Sequence, residues 1–242
     1  MIDNYDELLQ SAKENERSQV MAEVEYIIET FVGNNHGIVL KIDKDRFFVL
    51  MEERYLRGVI ENRFNILDDV RRIEAADKII LPGVGAFEDA ARKLRESGMA
   101  DLVKEEAARG KPIMGICLGM QMLFEKSYEF GCHKGLGLIP GEVVPLLGAV
   151  PSELKIPQMG WNSLDIKGGR DDLYKYTENG THVYFVHSYY AKTDSKYITA
   201  TSEYGIDVTA SAKNGRVMGT QYHPEKSGKH GLEILKAFTE LK

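Results

Sequence analysis

In the run PIMGICLGMQ, Cys117 has Gly115 two residues before it and Gly119 two residues after it. An apolar strand here gives way to a helix, so the spacing is the thiol counterpart of the G-x-S-x-G nucleophile elbow. Glycine on both sides suits a strained turn and leaves the sulfur open to a substrate. A helix N-terminus also favours the thiolate that attacks, and the Leu118 amide is placed to face a developing oxyanion. A G-x-C-x-G taken alone also describes a small buried cysteine in a turn. The segment QYHPEKSG supplies what a nucleophile needs: His223 to take and return a proton, and Glu225, two residues on, to orient the imidazole. A lone H-x-E is also a common solvated surface pair. Together the two motifs point to acyl transfer through a cysteine, a histidine and a carboxylate.

These residues must be positioned by ordered elements, and the chain has the means to build them. Its 242 residues are 43% hydrophobic, enough to bury a sizeable core. The net charge of −6 and the lack of a basic stripe with interleaved aromatics argue against a nucleic-acid binder. No apolar run approaches the roughly 18 residues of a membrane span, and the start, MIDNYDELLQ, is acidic where a secretory signal is basic. A cytoplasmic protein with two free thiols, Cys117 and Cys132, is expected. Cys132 and His133 are too few to hold a metal, and His182, His187 and His230 read as structural or solvated.

Charge and pattern divide the chain. Residues 1–75 hold 10 Lys/Arg against 16 Asp/Glu and no proline, which leaves the rest neutral. Val20, Val24, Ile27, Ile28 and Phe31 have helical spacing, HGIVLKIDKDRFFVLM reads as two strands around a turn at 43–45, and EERYLRGVIENRF is helical again. We therefore expect an α+β segment over 1–75 and a second domain over 76–242. In the second domain, DKIILPGVGAF and GKPIMGICLG are strands that end in glycine and lead into helices, the alternation of a parallel sheet flanked by helices. HVYFVHSYY, YITATSEYG, IDVTASAKNG and RVMGTQYH read as further short strands, and GLEILKAFTELK as the closing helix.

From about residue 76 onward the chain resembles the class I glutamine amidotransferases, and within them the glutaminase subunits of imidazole glycerol phosphate synthase. The resemblance rests on ADKIILPGVGAFEDA, GKPIMGICLGMQMLFEKS, GLGLIPGEVV, KIPQMGWNSL, VYFVHSYYA and QYHPEKSG. It implies a flavodoxin-like α/β fold and hydrolysis of L-glutamine to glutamate and ammonia through a thioester on Cys117, with His223 as acid/base and Glu225 as its orienting carboxylate. It further implies an oxyanion hole from Leu118 and the turn Gly83, Val84 and Gly85. Gln121, Ser188 and Tyr189 would hold the amino-acid end of the substrate. Trp161 and Asn162 would face a partner synthase with a (β/α)8 barrel in a heterodimer serving histidine biosynthesis. No metal or organic cofactor is implied. Read without the resemblance, Tyr189 is equally a packing aromatic, and Trp161, a lone tryptophan beside a glycine, reads as core rather than interface.

The front of the chain departs from that family, whose first strand, helix and second strand are not visible before residue 76. Residues 2 to about 74 resemble part of a degenerate GGDEF domain of cyclic-di-AMP phosphodiesterases, without the Gly-Gly-Asp-Glu-Phe signature. The chain thus reads as a mosaic, and a catalytically impaired or silent chimeric scaffold is the alternative to an active enzyme. Loss of the first strand would leave 78–82 as a bare sheet edge, so the hairpin 37–51 is expected to pair with it, with helices 17–33 and 53–64 alongside.

Overall fold

The computed structural model describes the backbone of residues 38–43 and 46–50, and backbone and side chains of residues 73–167 and 172–241. The chain divides into two compact units, Met1–Ile79 and Ile80–Lys242. In the first, β1 (Ile38–Asp43) and β2 (Arg46–Leu50) form the expected antiparallel hairpin, with Ile38 opposite Leu50 and Leu40 opposite Phe48. Leu50 also pairs antiparallel with Ile79. The expected helices 17–33 and 53–64 lie outside the described residues.

The second unit is built on strands that run from glycine turn to glycine turn. β3 (Ile79–Gly83) leads through Gly85, at φ 93°, into α1 (Phe87–Glu96). This helix buries Phe87 and Ala91, while Asp89, Arg92 and Glu96 pair along its wet face. Gly98, at φ 75°, ends it and opens α2 (Met99–Ala108). β4 (Ile113–Cys117) is buried at every position, the pattern of a strand covered on both faces, and passes directly into α3 (Leu118–Met122). Short strands β5 (Lys126–Ser127), β6 (His133–Lys134) and β7 (Glu142–Pro145) follow, then β8 (Gln158–Ser163) and β9 (Asp165–Ile166).

The run HVYFVHSYY, expected as one strand, is two. β10 (His182–His187) pairs with β8, whereas β11 (Tyr189–Lys192) pairs with β7 in another sheet, and Ser188 is the joint. β12 (Ile198–Glu203), β13 (Asp207–Asn214) and β14 (Val217–Thr220) precede α4 (Gly228–Thr239), whose buried face is Ile234, Leu235, Ala237 and Phe238.

The α/β fold is as expected, but its main sheet is mixed. In this unit the strand order is β3-β4-β14-β13-β12-β9; β4 and β14 are parallel, and β14-β13-β12-β9 alternate in direction. The turns decide this. β12 to β13 and β13 to β14 are closed by short loops holding Gly205 at φ 74° and Gly215 at φ 60°, too short for the crossover that parallel neighbours need.

Candidate active site

The parallel pair β4 and β14 brings together residues more than a hundred positions apart. Val217 lies opposite Ile113 and Thr220 opposite Ile116, so the next step of the register sets Gln221 beside Cys117, with His223 two residues further on. Both catalytic candidates thus leave the carboxyl ends of adjacent parallel strands, where open α/β sheets place their sites.

The elbow is held by shape. Cys117 has φ 53° and ψ −110°, a conformation that a non-glycine residue adopts only where its surroundings enforce it. A Cβ on Gly119 would lie 1.7 Å from the Leu81 carbonyl oxygen, and one on Gly115 would lie 2.6 Å from the backbone of Gly119. The glycines therefore serve backbone packing rather than substrate access, which corrects the reason the sequence suggested for them. α3 spans five residues, so what it offers the sulfur is a few backbone N–H groups rather than a full macrodipole.

Cys117 as a whole is 8% exposed. Its sulfur lies 3.8 Å from the Val186 carbonyl oxygen and 3.7 Å from the Gln221 side-chain nitrogen. A Cβ added to Gly83 would lie 3.0 Å from the Gly119 nitrogen and 3.1 Å from the Leu118 Cβ, so the PGVG turn borders the elbow, with Val84 and Gly85 exposed beside it. Glu129 accepts a 2.5 Å hydrogen bond from the Phe87 N–H and so ties the helix after that turn to the loop after β5.

His223 is buried, and its Nδ1 donates to Glu225 Oε1 at 2.6 Å. Burial, the largest single influence, pushes its pKa down. The Cys117 sulfur and then the Glu225 carboxylate together outweigh burial and lift it to about 10. The Nε2 edge, which faces the Cys117 sulfur, makes no bond that meets ordinary hydrogen-bond limits. Apo sites commonly keep such contacts loose until substrate arrives.

Gln121, expected to contact substrate, is 6% exposed, and its Nε2 donates to the Tyr189 carbonyl at 2.9 Å and to Gln221 Oε1 at 3.0 Å. It ties α3 to β11 and to the strand end that carries His223. The same carbonyl accepts from His187 Nδ1 at 2.9 Å. Because a carbonyl only accepts, the proton sits on Nδ1. Burial holds His187 neutral, with its pKa pushed down to about 4 and His223 adding to the effect. Ser188 accepts from the Leu146 N–H, and the Tyr189 ring meets Phe130 edge to face, 6.5 Å away.

Trp161 projects from the outer face of β8 at 54% exposure, edge-on to Tyr184 at 6.0 Å, with Met159 exposed beside it and Asn162 half-buried. It is not a core residue. The sequence reading passed over Gln221, although strand alternation puts it on the same side as His223. Cys132 is an exposed free thiol, and His230 is an exposed partner of Glu233. Among the described residues no cluster of three metal-ligating side chains occurs, and no helix is long and apolar enough to cross a membrane.

The sequence profile of the glutamine amidotransferase class-I family matches residues 50–241. The chain belongs to this family. It is 49% identical over 177 residues to the imidazole glycerol phosphate synthase subunit HisH of Carboxydothermus hydrogenoformans, a match covering 73% of this chain and 86% of that one. Against the protein of the same name from Listeria innocua the identity is 49% over 217 residues, 89% of this chain and 94% of its relative. Among solved structures, a glutamine amidotransferase superposes with a TM-score of 0.53 over 70% of this chain and 82% of its own, at 18% identity, which speaks for the fold alone. The family profile begins before residue 76, and the Listeria innocua match is longer than everything from residue 76 onward. Neither supports the likeness of the first segment to a second family.

Proposed function

We propose that this class I glutamine amidotransferase hydrolyses L-glutamine to glutamate and ammonia, and that it does so as the glutaminase subunit of an imidazole glycerol phosphate synthase in histidine biosynthesis. The observation that carries the reading is a strained Cys117 and a Glu225-bound, charge-stabilised His223 at the ends of neighbouring parallel strands. Relatives near 50% identity that bear the HisH name supply the pathway. They also disfavour the silent-scaffold alternative.

In this reading the Cys117 thiolate attacks the carboxamide carbon of glutamine, and the oxyanion is met by the Leu118 amide and a backbone group of Gly83–Gly85. Protonated His223 gives its proton to the leaving nitrogen, and ammonia departs to leave a glutamyl thioester. Neutral His223 next takes a proton from water, hydroxide attacks the thioester, and glutamate leaves with the thiolate regenerated. Glu225 holds the imidazole in the tautomer that both transfers require. Gln121, Ser188 and Tyr189 line the amino-acid end, with Gln121 acting through the bonds that fix the Tyr189 carbonyl.

Exposed Trp161 and Met159 on the outer face of β8 support docking of a synthase subunit, proposed to be a (β/α)8 barrel. Exposed, unpaired Cys132 supports a reducing, cytoplasmic setting. The division at about residue 76 into an α+β segment and an amidotransferase domain is part of the same proposal. The test is glutamate release from L-glutamine by wild type and Cys117→Ala, with and without the synthase subunit. Release that depends on Cys117 is expected. Its absence in both conditions removes the reading.

A further inference from the structure

The turn that presents His223 is fastened to β10 by a side chain to which neither the sequence motif nor the proposed chemistry gives a role. Ser227 stands at the N-terminal boundary of α4, the position at which serine ordinarily accepts a bond from the helix's own first N–H groups. Its hydroxyl does not cap the helix. It is turned back toward the imidazole-bearing residue, where it donates to the His223 carbonyl at 2.6 Å and accepts from the Tyr184 N–H at 3.0 Å. The His223 N–H, in turn, donates to the Tyr184 carbonyl at 2.9 Å. Tyr184 therefore spends both of its main-chain groups on His223, one directly and one through Ser227, in a closed ring of three bonds. Ser227 is 1% exposed, so water has no route to replace the hydroxyl. A Cβ at Gly231 would lie 1.8 Å from the Pro224 carbonyl oxygen and 2.9 Å from the Ser227 Cβ, so the first turn of α4 closes tightly over the same loop.

We infer that Ser227 is a positioning residue for the glutaminase reaction: it fixes the height of the His223 backbone over β10 and thereby the reach of the imidazole to the Cys117 sulfur. The inference rests on the assignment of His223 as acid/base. Glu225 restrains the ring's rotation from one side, and Ser227 restrains the backbone from the other. The titratable groups facing the ring are Cys117 from the end of β4, Glu225 from the same turn and His187 from β10. Small displacements matter here, since an error of about 1 Å in the placement of a catalytic group costs on the order of 10²-fold in rate.

The test is steady-state glutamate release, with the synthase subunit present, by wild type and by the Ser227→Ala, Ser227→Thr and Ser227→Cys variants, with thermal melts in parallel. Ser227→Ala is expected to lower kcat by about 10- to 100-fold while KM for L-glutamine stays within about threefold, because ground-state binding does not use this bond. The alkaline limb of kcat, set by His223, is expected to move down by about one pH unit or more as the ring loses its fixed distance to Cys117 and Glu225. Ser227→Thr keeps the hydroxyl and is expected to restore most of kcat. If Ser227→Ala does not fold, Ser227→Cys decides, since it fills similar space with a weaker hydrogen-bonding group; a reduced kcat supports the inference and an unchanged one overturns it. A folded Ser227→Ala with a lower melting temperature but wild-type kcat and an unmoved limb shows a purely structural serine and overturns it. Wild type without Cys117-dependent release is a different result, one that removes the glutaminase reading itself.

Discussion

The two halves of the candidate active site are held in opposite ways. The elbow at Gly115–Gly119 is fixed by steric exclusion: its neighbours are backbone atoms, and an added methyl group has nowhere to go. The turn at Gln221–Ser227 is fixed by polar bonds among His223, Glu225, Ser227 and Tyr184. A shape-held nucleophile is brittle to any added atom, whereas a bond-held base is sensitive to the loss of a partner and follows protonation. The contrast suits the chemistry, because the sulfur must stay at one point while the imidazole must change charge twice in each turnover.

Substitutions on each side and a pH series test that contrast. The largest effect is expected from Cys117→Ala, which should remove glutamate release by about 10⁶-fold while leaving the melting temperature near wild type. Cys117→Gly should be equally inactive yet slightly more stable, by up to about 1 kcal/mol, because glycine accepts φ 53° without strain; a destabilised glycine variant would contradict the claim of strain. Gly119→Ala should cost about 3–5 kcal/mol, seen as a large drop in denaturation midpoint or as insoluble protein, since its Cβ meets the Leu81 carbonyl oxygen rather than a movable side chain. If it melts like wild type, the elbow is not held by shape.

On the histidine side, Glu225→Gln should fold normally and lower kcat by about 10- to 100-fold. The Glu225 side chain is 47% exposed, and water partly replaces it, so the loss should fall well short of that from Cys117→Ala.

The pH dependence has a definite sign. His223 has a folded-state pKa of about 10, above its ordinary value of about 6.5. Its contribution to stability is fully present below about pH 6.5 and is lost as pH rises toward 10. His187 runs the other way. Its folded value of about 4 lies below the ordinary one, so the fold loses stability as pH falls from about 6.5 to 4. Melting temperatures across this range should therefore fall on both flanks. His187→Phe, which fits beside Phe185, should flatten the acid flank alone.

The smallest effect on the chain itself is expected from Trp161→Ala, which should leave stability within about 0.5 kcal/mol. It should nevertheless weaken association with the synthase subunit by about 2 kcal/mol, measured by titration calorimetry. Unchanged affinity would place the docking surface elsewhere.

Much of the elbow was legible in the residues themselves, because Gly115, Cys117 and Gly119 carry a spacing whose backbone demands are local. The histidine turn was legible for the same reason in His223 and Glu225. What escaped was set by tertiary packing. Nothing in the unbroken run HVYFVHSYY marks the change of sheet at Ser188, which follows from β8 and β7 competing for its two ends. Short turns at Gly205 and Gly215 fold the last strands back antiparallel, so an expected parallel sheet became mixed. Gln221 was within reach of a period-two reading, but its approach to sulfur depends on the β4–β14 register. Trp161 could have been core or surface by composition, and only the pairing of β8 with β10 places it outside.

The central claim is that Cys117 forms a covalent bond with the acyl group of glutamine under the control of His223. The direct measurement is mass spectrometry of the chain quenched in acid during turnover of L-glutamine, followed by mapping of the modified peptide. The expected result is one glutamyl group on the peptide containing Cys117, enriched when deacylation is slowed and absent from Cys117→Ala. Glutamate release at wild-type rate with no label at Cys117, or with label retained in Cys117→Ala, would contradict the account.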